Sequence, residues 1–305
     1  MKKIRIGTRK SQLALWQADY VKKQLCELYS DLFVEIIGVT TTGDRLLSTS
    51  LTTEGGKGAF LKELEYALLD KSIDIAVHSM KDVPSNLPEG LHIPIICKRE
   101  DARDAFISTS VDNISRLPKD SYIGTSSLRR QCLVLNSNPD LKVVPIRGNV
   151  FRRIEKLDEG EVDAIILAVA GLQRLGLDKK IKQIMPVENM LPAVGQGAIG
   201  IECAIENDSV NKIIQPLNHE PSRIRLQAER AGSALLQSGC HLPVAFYSEL
   251  DGERLHLRGM VGMPDGSEVL SAEEIGLKNS PEITGKLLAQ KLLDMGADRI
   301  LSYAK

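Results

Sequence analysis

Charge of one sign is what this chain most clearly lacks. Its 305 residues carry 39 Lys and Arg against 40 Asp and Glu, a balance that argues against bulk attraction to nucleic acid or to a membrane surface. No apolar run approaches the ~20 residues that a transmembrane helix needs. The opening Met1-Lys2-Lys3-Ile4-Arg5-Ile6 alternates like a strand and has no apolar signal-peptide core. Cysteine is scarce and odd in number, at five. None has CxxC or Cys/His zinc spacing, so neither a disulfide framework nor a metal site is expected. The nucleotide motifs are lacking too. Gly195-Gln196-Gly197-Ala198-Ile199-Gly200 matches GxGxxG but leads into a strand pattern, where the dinucleotide fingerprint needs a helix. Gly55-Gly56-Lys57-Gly58 does not have Walker spacing. There is no solenoid repeat. The expectation is a soluble cytoplasmic protein without nucleic-acid or membrane partners, at 43% hydrophobic and 26% charged residues of ordinary globular composition.

What is present is a recurrent grammar. Four short apolar runs stop at loops that carry a small residue and a cation. Ile4 to Ile6 precedes Gly7-Thr8-Arg9-Lys10-Ser11, and Ile73 to Val77 precedes His78-Ser79-Met80-Lys81-Asp82. Tyr122-Ile123 precedes Gly124-Thr125-Ser126-Ser127-Leu128-Arg129-Arg130, and Val143 to Ile146 precedes Arg147-Gly148-Asn149. If the runs are strands of α/β sheets, these loops lie at carboxyl ends, where such sheets bind ligands. Three of them feed helical patterns, so backbone N–H groups add to the cations. Together the loops predict a cleft for a ligand with many negative charges.

Strand–helix alternation predicts mainly parallel sheets covered by helices. Ser11 to Tyr29 reads as a helix capped by Ser11, Phe33 to Thr40 as a strand, and Ala59 to Leu69 as a helix. The charged run Lys98 to Asp104 reads as a crossing into a second domain, where the pattern restarts: strand to Gly124, helix from Ser127, strand to Ile146, helix to Leu157, strand Ala164 to Val169. Pro192 to Ala198 reads as the return, and Ile199 to Ala204 as a strand completing the first sheet. Beyond Pro221 come a helix from Ser222 to Leu236, strands at Val244 to Leu250, Arg254 to Gly262 and Glu268 to Ile275, and a last helix from Pro281 to Met295. The expected domains are 1–99 with 200–219, 100–199, and an α+β domain 220–305.

Arg129-Arg130 and Arg147 to Arg153 are the densest basic features. A solvated helix face would explain one such pair, while arginine also grips carboxylates and phosphates bidentately. Asp82 either neutralises its basic surroundings or steadies a transient cation and moves a proton. His78 and His241 have no nucleophile partner visible in sequence, and a structural role is expected. Cys26, Cys97, Cys132 and Cys203 read as small core residues. Cys240, in Gly239-Cys240-His241-Leu242-Pro243, lies in a loop and stands apart.

These segments, with Gly56 to Phe60, Ala76 to Pro84, Leu167 to Leu172, Val194 to Ala198 and Gly239-Cys240, resemble the porphobilinogen deaminase (hydroxymethylbilane synthase) family nearly end to end. The resemblance implies two lobes akin to periplasmic binding proteins and a small third domain. It implies a dipyrromethane cofactor on a thioether at Cys240, and the head-to-tail joining of four porphobilinogen units with loss of ammonia. It implies Asp82 as the catalytic carboxylate, also facing the cofactor. Lys81, Thr125, Ser127, Arg129, Arg130 and Gly148 would hold the cofactor. Arg9, Ser11, Lys57, Phe60, Arg147, Arg153 and Gln196 would hold substrate. A monomer is implied. Thr53, Arg152, Ser238 and His241 depart from the family's usual residues, which bears on rate and loop behaviour. The competing reading is a two-lobed binding protein for a small polycarboxylate, which leaves Cys240 without a task.

Overall fold

The computed structural model describes residues 2–40, 61–84, 86–236 and 242–303. It begins with β1 (Lys2–Arg9), α1 (Gln12–Leu28), β2 (Leu32–Val39), α2 (Lys62–Leu69), β3 (Ile75–Ser79), a 3-10 turn (Met80–Asp82) and β4 (Leu91–Ile96). It continues with β5 (Asp104–Ser108), β6 (Tyr122–Gly124), α3 (Leu128–Ser137), β7 (Lys142–Val144), α4 (Val150–Asp158), β8 (Ala164–Ala168), α5 (Val169–Arg174) and β9 (Gln183–Ile184). Then come β10 (Ile199–Ala204), α6 (Asp208–Ile214), α7 (Glu220–Leu235), β11 (Val244–Asp251), β12 (Arg254–Gly262), β13 (Val269–Leu277), α8 (Pro281–Asp294) and α9 (Ala297–Tyr303). The chain divides into two compact units, residues 1–100 with 198–223 and residues 101–197 with 224–305. No described helix is long and apolar enough to cross a membrane.

In the first unit, Ile4 and Ile6 of β1 and Ala18, Val21 and Leu25 of α1 are buried in one apolar cluster with Ile75, Ile95 and Ile201. Fully burying a Leu- or Ile-sized side chain contributes about 1.5–3 kcal/mol, enough to override modest local propensities. Ser11 starts α1 as expected, its hydroxyl oxygen accepting the Ala14 N–H at 3.4 Å. The sheet runs β2-β1-β3-β10-β4. β1 pairs parallel with β2 and β3, whereas β10 is antiparallel to both β3 and β4. The strand at Ile199 thus completes this sheet, but reversed.

The second unit repeats that plan in the order β7-β6-β8-β5-β9. β6 is parallel to β7 and β8, and β5 is the reversed strand. Phe106 packs into one apolar cluster with Ile123 and Ile166, while Ala105 and Ile107 pack into another with Ile165 and Leu167. Both faces are therefore covered. Alternation fixes strand direction only where a crossover helix links neighbours. β5 and β10 are reached by the irregular segments 97–103 and 185–198, so their reversal has no local signal.

The remaining differences have local causes. β5 begins inside the charged run read as a crossing, because Asp104 is buried. β7 stops at Val144 because Pro145 has no N–H to donate. Helix α7 starts at Glu220, not Ser222, whose hydroxyl instead accepts the Arg99 N–H at 2.9 Å. Helix α9 follows the expected last helix after Gly296 (φ 95°). Cys26 is exposed, not core, while Cys97, Cys132 and Cys203 are buried.

The antiparallel β11-β12-β13 sheet packs Phe246, Leu255 and Leu257 against Leu288, Leu292 and Ile300. It is joined to the α/β part of its unit by Ala245, Tyr247 and Met260, which cluster with Ala102, Cys132 and Leu191. Helices α7 and α8 approach at Gly232 and Gly285, where a Cβ on Gly285 would lie 2.2 Å from the Ala228 carbonyl oxygen. Neither backbone can yield cheaply. Gly285→Ala is expected to destabilise the protein by about 1–3 kcal/mol, read as a lowered melting temperature.

Candidate active site

In the first unit the basic loop after β1 and the turn after β3 meet. Arg9, Ser11, Gln17, His78, Ser79 and Asp82 line one small concavity of about 80 Å³, floored by Leu13, Leu61, Val77 and Val83. Gln17 is buried and donates through Nε2 to Ser79 Oγ at 2.7 Å, tying α1 to the end of β3. Asp82 is exposed at the end of the 3-10 turn, and Lys81 beside it is half-buried. Ser11 uses its oxygen lone pair for the cap, which leaves the hydroxyl hydrogen for an anion.

Beneath this concavity, His78 Nε2 lies 2.8 Å from Glu202 Oε2 of β10, both buried. Burial first, then Glu202, raises the nearby Glu65 carboxyl above its ordinary value. His78 is thus tied to a carboxylate that the sequence reading had not paired with it.

In the second unit the loops after β6 and β7 are linked by Ser126, whose hydroxyl donates to the Ile146 carbonyl at 2.8 Å. Thr125 is buried, and its Oγ1 accepts the Ser127 N–H at 3.2 Å. Ser127 in turn caps α3. Asn149 caps α4, accepting the Arg152 N–H at 2.9 Å. Gly148 sits at φ 117°, a conformation that L side chains rarely adopt. Its carbonyl accepts from Arg153 Nε at 2.8 Å. Arg147 is exposed on this loop, and Arg152 faces away in ion pairs with Glu155 and Glu159. Two helix N-termini and several cations are thereby gathered, which is chemistry for anions.

Arg129 and Arg130 are not on a solvated helix face. Both are buried, and both reach Asp104 at the start of β5: Arg129 Nη1 to Oδ2 at 2.8 Å, and Arg130 Nη2 to Oδ1 at 2.6 Å. Arg130 also donates through Nε to Oδ1 at 3.1 Å and through Nη1 to the Ile166 carbonyl at 2.9 Å. Arg129 Nη1 donates to the Leu191 carbonyl at 2.7 Å. Gln196, 1% exposed, donates through Nε2 to the Ala102 carbonyl at 2.6 Å and to Asp104 Oδ1 at 2.9 Å. Burial alone would raise the Asp104 pKa, but the two guanidinium groups outweigh it and hold the carboxyl well below the usual range. Burial lowers the Arg129 pKa, against the pull of Asp104.

Asp104 is the site residue that sequence reasoning missed. It sits in a run of alternating charges, and only the four apolar or small positions of β5 after it hinted at a strand. Lys57, Phe60 and Cys240 lie outside the described residues. Burial pushes the Cys132 and Cys203 thiols up to about 12, so neither is a thiolate near neutral pH.

The donors fit a polycarboxylate such as dipyrromethane. Arg129 Nε is buried with no hydrogen-bond partner among the described residues, and Thr125, Ser127 and the α3 N-terminus add hydroxyl and N–H donors. Because the folded Asp104 pKa lies below its unfolded value of about 4, its stabilisation is complete above about pH 4 and lost as pH falls towards the folded value. The stability difference between wild type and Asp104→Asn should therefore be constant from about pH 5 upwards and shrink below about pH 4, as read from urea midpoints.

Residues 4–212 match the family model "Porphobilinogen deaminase, dipyromethane cofactor binding domain", and residues 224–294 match "Porphobilinogen deaminase, C-terminal domain". Among solved structures, a lipoprotein from Bacillus subtilis is similar at 11% identity, covering 72% of this chain and 90% of that one with a TM-score of 0.46. A periplasmic substrate-binding protein of an ABC transporter from Coxiella burnetii is similar at 15% identity, covering 70% and 91% with a TM-score of 0.45. Immunogenic lipoprotein A from Vibrio vulnificus is similar at 15%, covering 72% and 96% with a TM-score of 0.44. These structural likenesses are too slight to bear on function. The family models span nearly all of the sequence, and the chain belongs to the porphobilinogen deaminase family, transferases of tetrapyrrole biosynthesis with a dipyrromethane-binding domain.

Proposed function

We propose that this protein is a hydroxymethylbilane synthase, joining four porphobilinogen units head to tail on a dipyrromethane primer and releasing the linear tetrapyrrole by hydrolysis. The observation that carries the reading is the convergence of Arg9, Ser11 and Asp82 on one concavity, in a chain whose family model is named for that primer. Each addition breaks the aminomethyl C–N bond of a substrate, forms a C–C bond to a pyrrole α-carbon, and releases ammonia and the proton of that carbon. The bound dipyrromethane supplies the first such α-carbon and an anchor. We place its attachment at Cys240, as a thioether.

Each pyrrole brings an acetate and a propionate, so anion-holding side chains are the main requirement. We assign Arg9, Ser11, Lys57, Arg147, Arg153 and Gln196 to substrate, and Lys81, Thr125, Ser127, Arg129, Arg130 and Gly148 to the cofactor, with Phe60 packing on the rings. Hydrogen bonds to charged groups contribute about 1.5–3 kcal/mol each, although ordering costs prevent simple addition. Asp82 is exposed and backed by cations on its own turn and on β1. Its carboxylate is suited to steady the cationic ring left as ammonia departs, and to hold the pyrrole N–H. We further propose a cytoplasmic monomer of three domains, 1–99 with 200–219, 100–199 and 220–305.

Intact-protein mass tests the chemistry directly. The purified chain should be heavier than its sequence by a two-pyrrole adduct, and Cys240→Ala should weigh what its sequence does. An unmodified mass in active protein defeats the proposal, whereas an unmodified mass in folded protein without activity favours a binding protein. Asp82→Asn should keep the fold and the adduct while turnover falls by about 10²–10⁴-fold. Turnover like that of the wild type would remove Asp82 from the mechanism.

A further inference from the structure

We propose that Asp104 is a positioning residue of this reaction, holding Arg129, Arg130 and Gln196 in the arrangement that receives ligand carboxylates. The inference rests on the hydroxymethylbilane synthase reading and goes beyond it, because Asp104 itself meets no ligand: it is fully buried. Its effect passes through the groups it binds.

The geometry argues against a merely structural ion pair. A self-contained pair would neutralise its charge and satisfy its polar atoms. Here two guanidinium groups share one carboxylate, leaving a net positive charge in the interior that an incoming anion can offset. The polar atoms divide unevenly as well. Arg130 uses Nε and Nη2 on Asp104 and Nη1 on the Ile166 carbonyl, so its orientation is set. Arg129 commits Nη1, while its Nε is buried with no hydrogen-bond partner among the described residues. Such an orphan is costly in a resting protein and is a donor held ready for an acceptor.

Asp104 Oδ1 is also shared between Arg130 and Gln196. One atom therefore ties helix α3, which carries the arginines, to the segment just before β10, which carries Gln196. Gln196 is held on its other side by the Ala102 carbonyl, two residues before Asp104. Displacing the carboxylate would turn all three side chains at once, whereas losing any single arginine would leave the other two groups in place.

The test compares dipyrromethane loading with stability. Wild type, Asp104→Asn, Asp104→Glu and the destabilised control Gly285→Ala are purified, checked for fold by circular dichroism and thermal melting, and weighed intact. Folded Asp104→Asn should carry the adduct on less than about a tenth of its molecules, and its loaded fraction should show a KM for porphobilinogen raised roughly ten- to a hundredfold with a smaller change in kcat. Gly285→Ala should remain fully loaded despite a lower melting temperature. If Asp104→Asn does not fold, Asp104→Glu decides: it keeps the charge but displaces the guanidinium groups by a methylene, so partial loading and a raised KM are expected. Full loading with an unchanged KM in whichever of the two variants folds overturns the proposal. A wild type without adduct fails the underlying reading instead, and is distinguished because it does not depend on residue 104.

Discussion

Two guanidinium groups can share a protein interior only if a carboxylate lies between them, and that constraint organises the second α/β unit. Removing one partner of a buried ion pair typically costs about 3–5 kcal/mol, because the remaining charge cannot regain its hydration. Asp104 must therefore be at the head of β5, β5 must lie beside β8, and α3 must present Arg129 and Arg130 to that strand. The segment bearing Gln196 is fixed by the same carboxylate. Further hydrogen bonds hold this segment: the Gly195 N–H donates to Glu229 Oε2 at 3.0 Å, and Arg174 Nη2 donates to the Gly197 carbonyl at 2.9 Å. Local unfolding of any one element would expose an unpaired charge, so the arrangement is resistant to piecemeal loosening.

The two sheets solve the same problem twice. In each, strands linked by helices run parallel, and a strand delivered from another part of the chain enters reversed. The carboxyl ends of the parallel strands then collect short loops whose N–H groups and hydroxyls face outward from capped helices. Ser11, Ser127 and Asn149 act as caps in these loops. Capping and anion binding thus draw on the same small polar residues. A cap accepts a hydrogen bond, and a hydroxyl cap keeps its proton for a ligand.

Much of this was legible along the chain. Ser11 and Ser127 announced helix starts, Asp251-Gly252 announced the turn between β11 and β12, and the four basic loops stood out because each followed an apolar run. Such signals are local, written within about one turn of helix or one strand length. Asp104 and Glu202 were opaque for the opposite reason. Their partners lie 25 and 26 residues away for Asp104 and 124 away for Glu202, and a buried acid at a strand end looks like a solvated one until the strand's neighbours are known. The exposed Cys26 misled in the reverse sense, since its place on a helix could not reveal which face would be covered.

By itself the sequence determined the α/β character, the sites of the basic loops, the helix caps and the family to which the chain belongs, because these rest on residue types at short spacing. Only the tertiary structure decided the direction of β5 and β10, the pairing of His78 with Glu202, and the burial of Arg129 and Arg130 against a shared acid. The physical reason is that hydration is the default for every charge. Whether a given one loses it, and what must then compensate, depends on elements that the backbone brings together across many residues.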